Sequence, residues 1–599
     1  MCGIAAVFAY HSSAAAVDPR ELRRIRDHMT ARGPDGIGEW YSSDHRVGLA
    51  HRRLAIIDLS ENGAQPMCGE DGRLVITFNG EIYNYRELRQ ELERRGRIFR
   101  SQSDTEVLLH LYAEKGEAMV RDLRGMFAFA IWDARRCGLF LARDPFGIKP
   151  LYFADNGKSF RAASQVKALL AGGGVDTSPD AAGHTGFFLW GHVPEPHTLY
   201  RGVAALPAGS SLWVDGKGKN LSSFCRLTEI LAKSGKADGN GSATSARETL
   251  RAVLRDTVRC HLVADVPVGV FLSSGLDSTT LAALASEEGG QLRTVTLGFT
   301  EYRGTPQDET LLAEQVAKHY GAAHQTVWVA RSDFMSHRNQ LFAAMDQPSI
   351  DGVNTYFVSL AARRASLKVA LSGLGGDELF GGYASFRQVP RMRALLRVFN
   401  RFPWFGRAVR ILSAPVLKRL TSPKYAGLFE YGGTCGGAYL LRRGLFMPWE
   451  LPELLDGDMV RCGWRELQPM LHLEETVEGL CSPRLQVSAL EGSWYMCNQL
   501  LRDSDWASMA HSLEIRVPLV DLPLWRSVAP LIVGRNPVTK QAMARTPMKP
   551  LPPQILNRRK TGFSIPVREW LMGGRAAPEV RERGYRSWAR TVYSQYWKN

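Results

Sequence analysis

Cysteine is scarce in this chain, nine in 599 residues, and the number is odd. No C-x-x-C pair and no H-E-x-x-H occurs, so neither a disulfide framework nor a zinc site is indicated. Also missing is any run near the roughly 18 uninterrupted apolar residues that a membrane helix needs. The N-terminus lacks the basic-then-apolar stretch of a signal peptide, and a charged, helix-like segment follows from Asp18 to His28. A cytoplasmic, reducing location is the expectation. There is no Walker A loop, no internal repeat, and no zinc finger, RNP-like or helix-turn-helix pattern.

Acidic residues are short by comparison with basic ones, giving a formal charge of +15. The excess is uneven. Between Arg387 and Phe429 stand ten Lys or Arg residues and no acid, whereas the rest is close to neutral. A generally nucleic-acid-coating surface does not fit that distribution, and no nucleic-acid partner is expected.

What is present is length enough for two or three domains and a globular balance of 45% hydrophobic and 23% charged residues. Up to about residue 215 the chain alternates short apolar runs with turns, as in Leu74 to Asn79 and the hairpin-like pair Gly125 to Trp132 and Leu139 to Ala142. Tyr85 to Arg95 and Asp104 to Glu114 have helical spacing. Residues 216–245 turn to Gly, Ser, Lys and Ala and are expected to be a linker. From residue 246 onward apolar strands (Val268 to Leu272, Leu292 to Phe299, Leu367 to Ser372) alternate with longer helices, which predicts a parallel sheet with crossover helices.

The chain begins Met1-Cys2-Gly3-Ile4. Once methionine is removed, Cys2 carries a thiol beside a free amine with a pKa near 8, so one residue can supply nucleophile and base. An attacked amide becomes an oxyanion and needs preorganised donors, which Asn79-Gly80-Glu81 at a strand end can supply. Arg53 and Asp104 are the charges a free amino acid substrate would need. In order along the chain stand that start, Arg32-Gly33-Pro34-Asp35-Gly36, His51-Arg52-Arg53-Leu54, Asn79-Gly80-Glu81-Ile82-Tyr83-Asn84 and Ser103-Asp104-Thr105-Glu106. Together they resemble the class II glutamine amidotransferase domain, an Ntn-hydrolase αββα sandwich. The resemblance implies that Cys2 is the nucleophile, that Asn79 and Gly80 form the oxyanion hole, and that Arg53, Glu81 and Asp104 hold glutamine.

In the second half, Ser273-Ser-Gly-Leu-Asp-Ser278 follows an apolar strand and opens a helix, an anion cradle at the positive end of a helix dipole. Ser372-Gly-Leu-Gly-Gly-Asp-Glu378 repeats the logic at a second strand end. Asp277 and Asp377 are hard oxygen ligands suited to Mg²⁺, and Lys560 can neutralise charge developing on phosphate. Pro267 to Ser278, Gly375 to Tyr383, Ser508 to Pro518 and Lys560-Thr-Gly-Phe563 resemble the synthetase domain of glutamine-hydrolysing asparagine synthetases. The resemblance implies an ATP-pyrophosphatase fold with helical additions, spanning 246–599 behind the amidotransferase domain at 1–215. It also implies ATP contacts at Leu272, Ser273, Gly275, Asp277, Ser278, Ser372 and Gly373. It implies further that a carboxylate acceptor is adenylated and that ammonia made at Cys2 crosses an internal tunnel to attack it.

The chain departs from that family in places. Asparagine-forming members carry Glu where Leu374 stands, and leucine cannot take a proton as ammonia attacks. Either Glu378 or the substrate then does that job, or the acceptor is not aspartate. Ser274 replaces a glycine. The basic segment 387–429 interleaves Arg with Leu395, Phe402, Trp404 and Leu412. It fits two packed helices with a solvated basic face, or a surface for an anionic partner, whether membrane interface or lipid- or sugar-linked carboxylate. Three readings follow: an amide ligase making asparagine or a related amide, a ligase for a larger acid such as a uronic acid, or a glutaminase whose synthetase half serves as a binding module. A homodimer is left open.

Overall fold

A computed structural model describes residues 2–234, 243–533, 537–558, 570 and 585–597. The N-terminal half is an α-β-β-α stack, and strand alternation builds it. Strand Gly3–Phe8 lies inside one six-stranded sheet, antiparallel to Val47–Arg53 and Phe160–Ala163. Its Ile4, Ala6 and Phe8 face the second sheet, meeting Val75, Ala128, Leu141 and Leu212 in the sandwich interior. Ala5 and Val7 point the other way, onto Leu22 and Ile25 of helix Pro19–His28. Asp18 caps that helix, accepting from the Arg20 N–H at 2.8 Å. The second sheet is also six-stranded, with Leu74–Ile82 and Gly125–Asp133 at its centre. Phe78, Phe127, Phe129 and Ile131 cover its outer face and are capped by helices Tyr85–Arg94 and Asp104–Lys115. Each such ring or branched chain buried contributes roughly 1.5–3 kcal/mol.

Composition misleads over residues 216–245. Strand Gly218–Ser223 pairs with Ser210–Asp215 as the edge of the second sheet, and helix Leu227–Ser234 follows. A polar edge strand shows mostly solvent-facing side chains, so its Lys, Asn and Ser content has the look of a linker. Buried Ile230 and Leu231 anchor the helix.

The C-terminal half holds a five-stranded, wholly parallel sheet in the order Ala323–Val329, Arg293–Phe299, Val268–Phe271, Val369–Leu371, Glu514–Arg516. The chain starts at the central strand, builds outward on one side, then returns to build on the other. The loops leaving Val268–Phe271 and Val369–Leu371 therefore part at a topological switch point, where open α/β sheets bind ligands. Ser385–Leu396 and Pro403–Leu420 form the two helices expected of the basic segment.

Candidate active sites and their connection

The pairing Gly3↔Arg52 places Cys2 opposite Arg53 one step further along the same two strands. Cys2 is buried, and its backbone N–H donates to Asn79 Oδ1 at 2.9 Å. That contact turns the Asn79 amide so that Nδ2 is a buried donor with no partner among the described residues. A preorganised, unspent N–H₂ beside a thiol is what a developing oxyanion needs. At Gly80 a Cβ would stand 2.1 Å from the Met126 carbonyl oxygen, so the residue is fixed by close approach of a neighbouring strand. Burial pushes the Cys2 thiol above its ordinary value, opposed in part by the Arg53 guanidinium.

Arg53 donates to the carbonyls of Ser60 at 2.8 Å and of Asp58, which orders the loop beyond its strand. Ser103 caps helix Asp104–Lys115 and so sets Asp104 in the first turn. Asp104 Oδ2 accepts from the Ile82 N–H at 3.0 Å, next to the Asn79-Gly80-Glu81 strand end. Burial raises its carboxyl to about 6, with the Ile82 hydrogen bond opposing. Glu81 is also buried, but its nearest charge comes from the other half of the chain: Arg516 Nη2 lies 3.4 Å from Glu81 Oε1. Arg516 Nε binds Glu514 Oε1 at 2.7 Å. Burial, then the Glu514 charge, holds the Glu81 carboxyl well above the usual range.

The nucleotide-type loops come together as the switch point requires. Leu272, Ser273, Gly275, Asp277, Ser278, Ser372 and Gly373 all line one cavity of about 330 Å³, with Leu374, Asp377 and Tyr383. Ser278 Oγ knits the first loop, meeting Ser273 Oγ at 2.8 Å and accepting from the Ser273 N–H at 3.1 Å. Ser274 is buried and does not line the cavity. A Cβ on Gly373 would fall 2.8 Å from Asp277 Cβ, so the two loops touch only because this residue has no side chain.

Asp277 and Asp377 converge on one cation, the Lys540 ammonium, which binds Asp277 Oδ2 at 2.5 Å and also Asp377 Oδ1. Lys540 opens a short helix, belongs to no motif recognised in the sequence, and gave no signal there. Lys560 lies outside the described residues. Glu378 is fully buried and does not line the cavity. Tyr383, which does, donates to Glu378 Oε1 at 2.8 Å. Burial and then Asp377 raise the Glu378 carboxyl to about 7. A second cavity of about 520 Å³ adjoins the first, sharing Asp351 with it, and is lined by Trp190, Trp494, Tyr495, Arg443 and Lys424. The Arg443 guanidinium is stacked 3.8 Å over the Tyr495 ring and 4.6 Å over that of Tyr383, forming part of the wall between them.

Buried ion pairs join the two halves. Arg32 Nε donates to the Cys2 carbonyl at 3.0 Å while its two Nη atoms grip Asp505 at 2.7 and 3.0 Å. Sequence reasoning missed Asp505, Glu514 and Arg516 as parts of this junction, although the last two lie in a motif it singled out.

A glutamine amidotransferase half joined to a synthetase half makes this chain a glutamine-dependent amide-forming ligase. Residues 1–225 match the family model of the glutamine amidotransferase domain, and residues 249–595 match that of asparagine synthase. Asparagine synthetase (glutamine-hydrolysing) 1 of Bacillus subtilis is 32% identical over 578 residues, covering 95% of this chain and 88% of the relative. A putative asparagine synthetase of Mycobacterium bovis is 33% identical over 595 residues, covering 96% and 89%. The chain belongs to the glutamine-hydrolysing asparagine synthetase family.

Proposed function

We propose that this enzyme amidates a carboxylic acid larger than aspartate, using ammonia released at Cys2. With Met1 removed, the Cys2 amine takes the thiol proton as Sγ attacks the glutamine amide, and returns it to the leaving ammonia. Asn79 Nδ2 and the Gly80 N–H stabilise the oxyanion, and water then releases glutamate from the thioester. Arg53 pairs with the substrate carboxylate, and Asp104 and Glu81 with its amine.

In the other half the acceptor carboxylate attacks the α-phosphorus of ATP and pyrophosphate leaves. Ammonia attacks the acyl carbon and AMP departs. Leu374 stands where an acid would take the excess proton. Tyr383 and Glu378 replace it: the phenol accepts that proton as it passes its own to a carboxylate poised near neutrality. Asp277 and Asp377 already gather two hard oxygen donors around one positive charge, a donor set that fits Mg²⁺ shared with phosphate oxygens. When bound, that ion neutralises phosphate charge. The ATP requirement and nine unpaired cysteines suit a cytoplasmic enzyme.

The observation that carries the acceptor reading is the 520 Å³ cavity beside the nucleotide cavity, roomier than aspartate needs and walled by aromatic and cationic side chains. A uronic acid is the class we favour. Pyrophosphate release should appear with uronic acids and not with aspartate. Asparagine formed from free aspartate at an ordinary turnover would overturn the reading.

A further inference from the structure

Apart from its end at 418–424, which lines the larger cavity, the basic segment carries a surface that neither active site uses. Among the described residues, 18 large apolar side chains are exposed, and nine of them fall between Leu395 and Tyr425. A twentieth of the chain thus holds half of its exposed large apolar groups, far from the scattered pattern of a soluble surface. On helix Pro403–Leu420, Trp404, Ile411, Leu412, Val416 and Leu420 recur at helical spacing and make one outward stripe. Trp404 is 70% and Leu412 79% exposed.

The opposite face explains why the stripe cannot simply rotate inward. Gly406 packs so tightly that a Cβ would meet the Phe429 carbonyl oxygen at 2.7 Å. Arg410 pairs with Glu430 and lies 5.0 Å over the Trp449 ring. The helix is fastened by its inner side and presents its outer side as a fixed shape.

The same segment carries exposed Arg387, Arg391, Arg397, Arg401 and Arg407 and no acid from 387 to 429. Two acids that reach this segment, Glu430 and Glu453, are paired with Arg410 and Lys418. A second copy of this face would bring one basic rim against another, which like-charge repulsion opposes. An anionic bilayer matches both properties: phosphate for the arginines, and the acyl boundary for Trp404, Phe402 and the aliphatic stripe. No helix among the described residues is long and apolar enough to cross a membrane.

We infer that the face built by helices Ser385–Leu396 and Pro403–Leu420 docks on the surface of an anionic lipid membrane. The contact is peripheral, with the apolar stripe at the headgroup–acyl boundary and the arginines among the headgroups. Lys418, Thr421, Ser422 and Lys424, at the end of the docked helix, line the larger cavity, so its rim stands at the membrane side.

Flotation of the full chain with vesicles tests this without any substrate, so the result is independent of which acid the enzyme amidates. The protein should float with phosphatidylcholine vesicles containing phosphatidylglycerol, less so with added salt, and poorly with phosphatidylcholine alone. Leu412→Glu with Val416→Glu should abolish flotation while glutamine hydrolysis in solution, which reports folding, stays at the wild-type rate. Arg397→Gln and Arg407→Gln should each lower partitioning about fivefold. Absence of flotation with anionic vesicles, or flotation that the double variant retains, would overturn the inference. So would a concentration-dependent dimer that the double variant dissolves, because a second copy would then be the occupant.

Discussion

At the scale of single residues, Asn79 divides its amide between two tasks. Oδ1 holds the Cys2 nitrogen, and Nδ2 is a buried donor without a partner among the described residues, the one the proposed mechanism gives to the oxyanion. Asn79→Ala removes both, and glutamine-dependent kcat should fall about 10²- to 10³-fold while amide formation from free ammonia persists. Asp104 gives a prediction with a definite sign. Its folded-state value of about 6 lies above the ordinary 3.8, so the folded protein binds this proton more tightly than the unfolded chain. The stability it contributes is present below about 3.8 and is lost as pH rises through about 6. At neutral pH, Asp104→Asn should therefore stabilise the fold by on the order of 3 kcal/mol, read as a higher Tm, and the gain should vanish near pH 4. The same variant should raise KM for glutamine, since the amine loses a counter-charge. A lower Tm at neutral pH would contradict this account.

At the scale of elements, Tyr383 and Glu378 lie on either side of the end of helix Gly376–Phe380, where the fold has room for a proton relay in place of an acid at Leu374. Tyr383→Phe should leave acceptor-dependent pyrophosphate exchange near wild type while lowering amide formation about 10²-fold or more. Equal loss of both activities would show that the tyrosine merely shapes the cavity. The elements themselves were largely legible in the sequence. Unbroken apolar runs such as Gly125 to Trp132 declare strands buried on both faces, and Gly/Ser loops after Val268–Phe271 and Val369–Leu371 declare where the parallel sheet opens. Gly218–Ser223 did not declare itself, because an edge strand with solvated side chains has no apolar period to read. Nor did Lys540: a lone lysine acquires meaning only when two aspartates a hundred residues apart in sequence are folded around it. The candidate glutamine-site residues stood out because they sit in short contiguous motifs. The partners of Arg32 and Glu81 were not readable as partners, because they lie more than 400 residues downstream.

At the scale of the whole molecule, the Cys2 backbone is tied to the far half of the chain. Arg32 is 1% exposed and spans from the Cys2 carbonyl to Asp505. Asp505→Ala would leave a buried guanidinium without its counter-charge, a loss of about 3–5 kcal/mol, readable as a lower denaturation midpoint. Arg124 with Asp521, and Lys368 with Asp35, repeat the cross-link elsewhere on the junction. Two families meet in this polypeptide, and each is matched as a separate module. Yet a glutaminase fragment cut near residue 225 would carry Arg32 and Glu81 away from Asp505 and Arg516. A graft onto another relative's synthetase half would inherit whatever charges that half presents. The halves of this enzyme are therefore poor parts for exchange: shuffling them requires moving both ends of every buried pair, so the junction has to be inherited as a unit.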